Sequence, residues 1–262
     1  MERSFGCVLE FIKYAKNKKG ATLLIGSGCS ATAGIPTAAG IIERIKKDFP
    51  EKAKRAESEH YSSYMKVLEK DERDALITEY IENANLNWAH ICIAQLIKEG
   101  YVTRVLTTNF DPLVIRACAL VNEYPAVYDI PSMAKFDLER IADLSVHYLY
   151  GQHTGIALVH PDADDEPIRG VFDSLIEDSI NERPIIVVGY RGVSDPVFKS
   201  LCKIKEFGRG LYWICYENKL PEPEVISELF NKDKGAHYCL NYNADSFFVA
   251  LSRELGIFPP QI

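Results

Sequence analysis

Residues 24–36 read Leu-Ile-Gly-Ser-Gly-Cys-Ser-Ala-Thr-Ala-Gly-Ile-Pro, and they say more about the architecture than any other stretch. An apolar run, Ala21 to Ile25, enters Gly26-Ser27-Gly28. Small residues and Gly34 follow, then Ile35-Pro36 and a helix-like run from about Ala38. A strand that empties through glycines into a helix lets main-chain amides approach a phosphate closely, so a nucleotide is the first ligand to consider. The loop departs from the usual dinucleotide fingerprint: Gly26 and Gly28 satisfy G-x-G, but Ala31 stands where the third glycine belongs. It is not a P-loop, because no Gly-Lys-Ser/Thr follows. A plain connection between a strand and a helix accounts for the same residues.

Outward from this loop the chain alternates. Phe5, Val8, Leu9, Phe11, Ile12 and Ala15 lie at helical spacing. A helix carries Ile41, Ile42, Ile45 and Phe49 and ends near Pro50. Residues of roughly 50–86 are rich in charge and tyrosine with helical periodicity, and read as a small helical insert. Asn87 opens a helix that stops at Gly100. Strands are expected at 102–107, 126–129, 145–150, 184–189, 211–216 and 236–240. The intervening helices begin at Asp111-Pro112, near 170, at Asp195-Pro196, near 222 and near 244. An acidic loop spans 160–167. Buried strands alternating with helices predict one α/β domain over 1–262, a Rossmann-like parallel sheet with helices on both faces. In such sheets ligands sit at the carboxyl ends of the strands.

Composition narrows the function. With 262 residues and 47% hydrophobic side chains the chain can bury a sizeable core. A net charge of −7 argues against strong direct nucleic-acid binding, which needs a basic surface. The cysteines, at 7, 29, 92, 118, 202, 215 and 239, form no C-x-x-C pair, so a structural zinc is not expected. Their apolar surroundings fit reduced thiols in a cytoplasmic protein. No apolar run approaches membrane-spanning length and the N-terminus has no signal-peptide core.

Three further strand ends carry polar residues. In Thr107-Thr108-Asn109-Phe110-Asp111, Asn109 offers both a donor and an acceptor to a ribose hydroxyl or a water. Asp111 has an ordinary role as helix cap. In His147-Tyr-Leu-Tyr-Gly-Gln-His153, His153 lies in the loop and is a candidate general base. His147 is the runner-up, although strand alternation points it away from the face of Tyr150. Gly189-Tyr190-Arg191-Gly192-Val193-Ser194-Asp195 fits contact with a ribose or phosphate, or a plain turn.

Together these four segments resemble the sirtuin-like (Sir2-like) family. GSGCSATAGIP is similar to its nicotinamide-dinucleotide loop, TTNFD to its T-[QT]-N-[IFY]-D segment, and Leu149-Tyr150-Gly151 stands where the family has Leu-His-Gly. IIVVGYRGVSDPVF resembles the GYS-x-x-D segment of the branch found in bacterial antiphage defence. Asn87-Trp88-Ala89-His90 and the closing YWICYEN…NADSFF also resemble that branch. The zinc module of the deacylases is missing, and Thr37-Ala38 replaces Phe-Arg. The resemblance therefore implies the zinc-free branch, an NAD hydrolase (NADase) that splits NAD to nicotinamide and ADP-ribose and depletes it in antiviral defence. It implies NAD as substrate, held by Gly26, Ser27, Gly28, Cys29, Ser30, Pro36, Thr108, Asp111, Gly189, Tyr190 and Asp195, with Asn109 and His153 catalytic. His153 would stand in for the histidine lost at Tyr150, since a tyrosine with pKa near 10 is a poor base at neutral pH. Control by self-assembly (a homo-oligomer) or by a partner ATPase of the HerA type is also implied. Two other readings stay open: an NAD or ADP-ribose sensor without turnover, and a zinc-free protein deacylase.

Overall fold

The structure, a computed structural model, describes residues 2–133, 137–154, 166–193 and 195–260, with 166–169 as main chain alone. The acidic loop expected at 160–167 falls mostly outside them. Seven strands form one sheet: β1 (Ala21–Ile25), β2 (Val102–Thr107), β3 (Ala126–Asp129), β4 (Ser145–Tyr148), β5 (Ile185–Val188), β6 (Leu211–Ile214) and β7 (Ala236–Cys239). Their order is β3-β4-β2-β1-β5-β6-β7, and every pairing is parallel. The Rossmann-like sheet expected from the sequence is what forms. The chain winds outward from β1 on one side, then returns to place β5 on the other. That reversal makes the carboxyl end of β1 a topological switch point.

Alternation along the strands divides the core. Leu23 and Ile25 face a layer formed by α1 (Phe5–Lys16), α6 (Trp88–Lys98), α7 (Leu113–Leu120) and α11 (Ala244–Glu254). Leu24, Leu106 and Val187 face the opposite layer, with Phe172 and Ile176 of α8 (Glu166–Ile180) and Phe198 and Leu201 of α9 (Pro196–Lys203). The fully buried β1 has five apolar or small residues because both its faces are covered. A third cluster unites α2 (Ala38–Asp48), α4 (Tyr61–Lys66) and α5 (Lys70–Glu82) through Ile41, Ile45, Met65, Ile77 and Ile81. With the short α3 (Pro50–Ala53), α4 and α5 are the helices of the 50–86 stretch. They bury their apolar face against α2 rather than against the sheet. The segment after β6 holds a short turn of helix, α10 (Pro223–Val225), that widens over Ile226–Phe230.

At the amino ends of the strands, polar side chains are buried and paired. Thr22 Oγ1 donates to Ser179 O at 2.6 Å, Arg104 binds Asp178 and Ser179, and Arg183 Nη2 donates to Asp143 at 3.0 Å. The bonds of Thr22 and Arg104 fasten the last turn of α8 under the sheet, and that of Arg183 ties the turn after α8 to the approach of β4. His147 belongs here too. Its ring stacks on Tyr128 at 4.9 Å and its Nε2 lies 2.9 Å from Ser145 Oγ. It is a core histidine, turned away from the cavity described below. Burial, then the charge of Arg104, pushes its pKa down to about 3, and burial pushes that of His90 down to about 4.

Both histidines therefore stay neutral in the folded chain while the unfolded chain protonates near pH 6.5. Stability is whole above pH 6.5 and falls as pH drops through that value towards 4, by on the order of 3 kcal/mol per histidine. Urea unfolding at stepped pH reads this slope, and it flattens in His90→Gln and His147→Gln. A slope the two variants share with the parent contradicts the assignment.

Candidate functional site

In register, Ile25 of β1 stands beside both Thr107 of β2 and Val188 of β5, and Thr107 stands beside Tyr148 of β4. Four strands thus end at one level. The loops that begin at Gly26, Thr108, Leu149 and Gly189 leave the sheet together, which brings the four sequence segments to one place.

The glycines there serve each other. Gly26 N–H donates to Val188 O at 3.0 Å and Gly28 N–H to Gly189 O at 2.9 Å. A Cβ on Gly26 would lie 2.6 Å from Gly189 O, and one on Gly28 would lie 2.7 Å from Gly189 Cα. Gly189 itself holds φ +66, and a Cβ there would meet Cys29 N at 2.6 Å. Two loops approach so closely that no side chain fits between them. The sequence assigned these glycines to close phosphate approach, and the structure uses them for loop-on-loop contact. It also engages the amides of Cys29 and Ser30, which donate to Gly26 O and Ser27 O. Among the described residues, the Ser27 amide is the member of 26–30 with no acceptor. Cys29 turns its thiol inward onto Val188 O at 3.3 Å, and burial raises its pKa. Its carbonyl accepts from Asn87 Nδ2 at 2.7 Å, so Cys29 braces the loop from behind.

Ser30, Asn109 and Asp111 form a buried polar network. Asn109 Nδ2 donates to Gly26 O and to Ser30 Oγ, each at 3.1 Å. Ser30 Oγ donates to Asp111 Oδ2 at 2.8 Å, and Asp111 Oδ1 accepts from Leu113 N–H at 3.1 Å. Asp111 was expected at the N-cap, but α7 begins at Leu113 and Pro112 takes that position; Asp111, one residue earlier, still holds the first helical amide and ties α7 to the glycine loop. Burial raises the Asp111 pKa, while the Ser30 bond and the Leu113 amide oppose the rise. With both amide hydrogens of Asn109 engaged, its Oδ1 is an acceptor with no donor among the described residues.

A cavity of about 640 Å³ lies above these tips, within the range that encloses a small ligand. Ser27, Ser30, Pro36, Thr108, Asn109, Asp111, Tyr150, Tyr190 and Asp195 line it, with Gly189. Gly26, Gly28 and Cys29 lie behind that wall. Asp195 caps α9 by accepting from Val197 and Phe198 N–H at 2.8 and 3.3 Å, and Tyr190 Oη donates to it at 2.6 Å. Tyr150 packs edge-on against Phe172. Its hydroxyl is buried with no hydrogen bond of good geometry, and burial followed by the Asp195 charge holds its pKa well above the usual tyrosine value. His153 is not among the lining residues. Its amide is tied to Phe110 O at 2.9 Å, and its ring is half-buried outside the cavity wall. A wider hollow of about 1170 Å³ lies between α8 and α9, beneath the amino ends of the strands and away from these loops.

Sequence reasoning missed the outer wall: Glu43, Lys46, Glu59, His60, Tyr61 and Ser62, from α2 and the insert. The α2 residues were readable, because Ala38, Ile42 and Lys46 recur every four positions. The placement of 59–62 is tertiary and leaves no local signal.

No family model matches the chain, and no curated protein sequence does. Among solved structures it is similar to a Sir2 homologue in complex with NAD, at 18% identity and a TM-score of 0.57, covering 97% of this chain and 95% of that one. A mutant Sir2 homologue in complex with ADP-ribose matches at 18% identity and TM-score 0.55, over 95% and 98% of the two chains. A third Sir2 enzyme structure matches over 100% of both chains, at 18% identity and TM-score 0.55. The chain thus has the sirtuin-type, Rossmann-like fold over essentially its whole length. Among the described residues no group of three or more His, Cys, Asp or Glu is placed to hold a metal, and no helix is long and apolar enough to cross a membrane.

Ser30→Ala removes one of the two hydrogen bonds that hold the Asp111 side chain. The pKa of Asp111 is expected to rise further and stability to fall by about 1–2 kcal/mol. Carboxyl carbon NMR with urea unfolding measures both, and an unmoved titration would show that Ser30 does not carry the charge.

Proposed function

We propose that the cavity binds NAD and that the protein cleaves it to nicotinamide and ADP-ribose. The observation that carries this reading is the orientation of Asn109. Its donors are fixed on Gly26 O and Ser30 Oγ, which leaves Oδ1 facing a ligand-sized cavity at the switch point of the sheet. An acceptor held so rigidly suits a water or a ribose hydroxyl, both of which donate. The Sir2 homologues of the same fold that are bound to NAD and ADP-ribose support the choice of nucleotide.

The chemistry asks little of a base. As the C1′–N bond of the nicotinamide ribose breaks, its electron pair neutralises the pyridinium and nicotinamide leaves uncharged. Water oxygen bonds to C1′ and its proton passes to solvent. Positioning of water and electrostatic support of an oxocarbenium-like ribose are the main requirements. Asn109 Oδ1 orients the water, and the carboxylates of Asp111 and Asp195 favour the cationic centre. Tyr150, kept neutral, takes no proton. His153 was expected as the base, but its ring lies off the cavity wall, so it is not needed in this scheme.

The same neutral Tyr150 favours a second reading, a sensor that binds NAD without turnover. Motif resemblance alone supports NAD depletion in antiphage defence, control by a HerA-type ATPase or by self-association, and a cytoplasmic setting.

Nicotinamide release from NAD by the purified protein tests the proposal. Release is expected without any acyl-lysine peptide, to fall at least about 100-fold in Asn109→Ala, and to survive in His153→Ala. Saturable NAD binding without release favours the sensor. Release that requires an acetylated peptide indicates a deacylase.

A further inference from the structure

The engaged amides of the 26–30 loop leave an anionic ligand short of donors at the strand tips. Its charge must be met elsewhere on the wall. Among the described lining residues, the permanent cations are Lys46 and Arg191. They differ in where their partners lie. Arg191 Nε is drawn to Glu222 at 2.8 Å, and Glu222 is not part of the wall. Lys46 Nζ is held at 2.7 Å by Glu59 Oε2, and Glu59 does line the cavity, so the ammonium sits on its surface. Ala38, Ile42 and Lys46 form one stripe of α2, which places Lys46 about 12 Å along the helix from its start. The cavity therefore extends from the Asn109 tip, beside Asp111 and Asp195, to a cation at the insert side.

Glu59 has a second partner. Tyr64 Oη donates to its Oε1 at 3.0 Å, so the carboxylate stays bonded when Lys46 leaves. The Lys46 ammonium also lies 5.1 Å from the centre of the Tyr64 ring. The pair is exposed, with side chains 45% and 78% accessible, so its own contribution to stability is small. It is a weak internal contact that a more highly charged oxyanion displaces at little cost.

We propose that Lys46 binds a phosphoryl group of the cavity's ligand, exchanging Glu59 for it, and that Glu59 competes with the ligand for the same ammonium. This deepens the nucleotide reading and rests on it for the identity of the ligand. The two residues then have opposite signs. Removal of the cation weakens binding; removal of the carboxylate strengthens it. A purely structural latch between α2 and the insert predicts that both changes act in the same direction.

The experiment is calorimetric titration of ADP-ribose, adenosine and inorganic pyrophosphate into the parent protein, Lys46→Met and Glu59→Gln, with thermal unfolding of each. ADP-ribose is expected to bind about tenfold more weakly to Lys46→Met and at least about threefold more tightly to Glu59→Gln, while adenosine is unaffected. Unchanged affinity in Lys46→Met, or shifts of one sign in both variants, overturns the inference. Pyrophosphate binding that follows this pattern without ADP-ribose binding would leave the inference standing and remove the nucleotide reading. No binding of either ligand to the parent removes both.

Discussion

The carboxyl end of β1 is held to that of β5 by two main-chain hydrogen bonds and by three glycines that leave no room between the loops. Everything the cavity offers hangs on that contact. Gly26 fixes one carbonyl that orients Asn109, and Gly189 fixes the start of the loop that carries Tyr190 and Asp195. Because β1 lies between β2 and β5, locking its tip to β5 also sets the height of the β2 loop beside it. The floor is thus main chain fastened to main chain, with side chains added on top.

Over this floor lies a set of buried polar groups that stabilise one another. Asn109, Ser30 and Asp111 have few neighbours able to replace their bonds, so each depends on the other two. The arrangement is rigid, and it leaves one acceptor and a carboxylate of raised pKa beside a hollow. Rigidity of this kind is what a site needs to hold a water or a hydroxyl in one orientation. The insert is different. It packs on α2 with its own core, and the bonds it sends to the cavity wall are exposed ion pairs.

Much of the fold could be read from local sequence. Strand β2 was expected at 102–107 and forms there, since Gly100 stops α6 and Thr108-Asn109 end the apolar run. The helix caps were equally legible, because Asp195 and Asn87 act on amides two or three residues away. Strands at 145–150 and 211–216 end earlier than expected, at Tyr148 and Ile214, where pairing with their neighbours stops. The site was legible only as four separate segments. Nothing local says that Gly28 packs on Gly189, or that residues 59–62 form a wall. Alternation was expected to put His147 on the opposite face from Tyr150, yet both face the α8 layer, because β4 ends at Tyr148 and the period of two stops there. His147 misses the cavity by lying lower in the strand, and the ring of His153 depends on a loop tethered to Phe110.

One more set of contacts ties the first loop of the chain to its last helix. Asn87 Nδ2 reaches Thr32 Oγ1, Thr32 Oγ1 donates to Asp245, and Asp245 accepts from Ala89 N–H. Thr32 and Asp245 are 213 positions apart. These three side chains cap α6, join it to the start of α11 and steady the glycine loop at once, so none can change alone without stranding a donor or acceptor. In evolutionary terms they form a co-inherited unit: lineages that replace Asp245 would be expected to replace Thr32 and Asn87 in step. Positions that do not line the cavity would then record the history of the glycine loop.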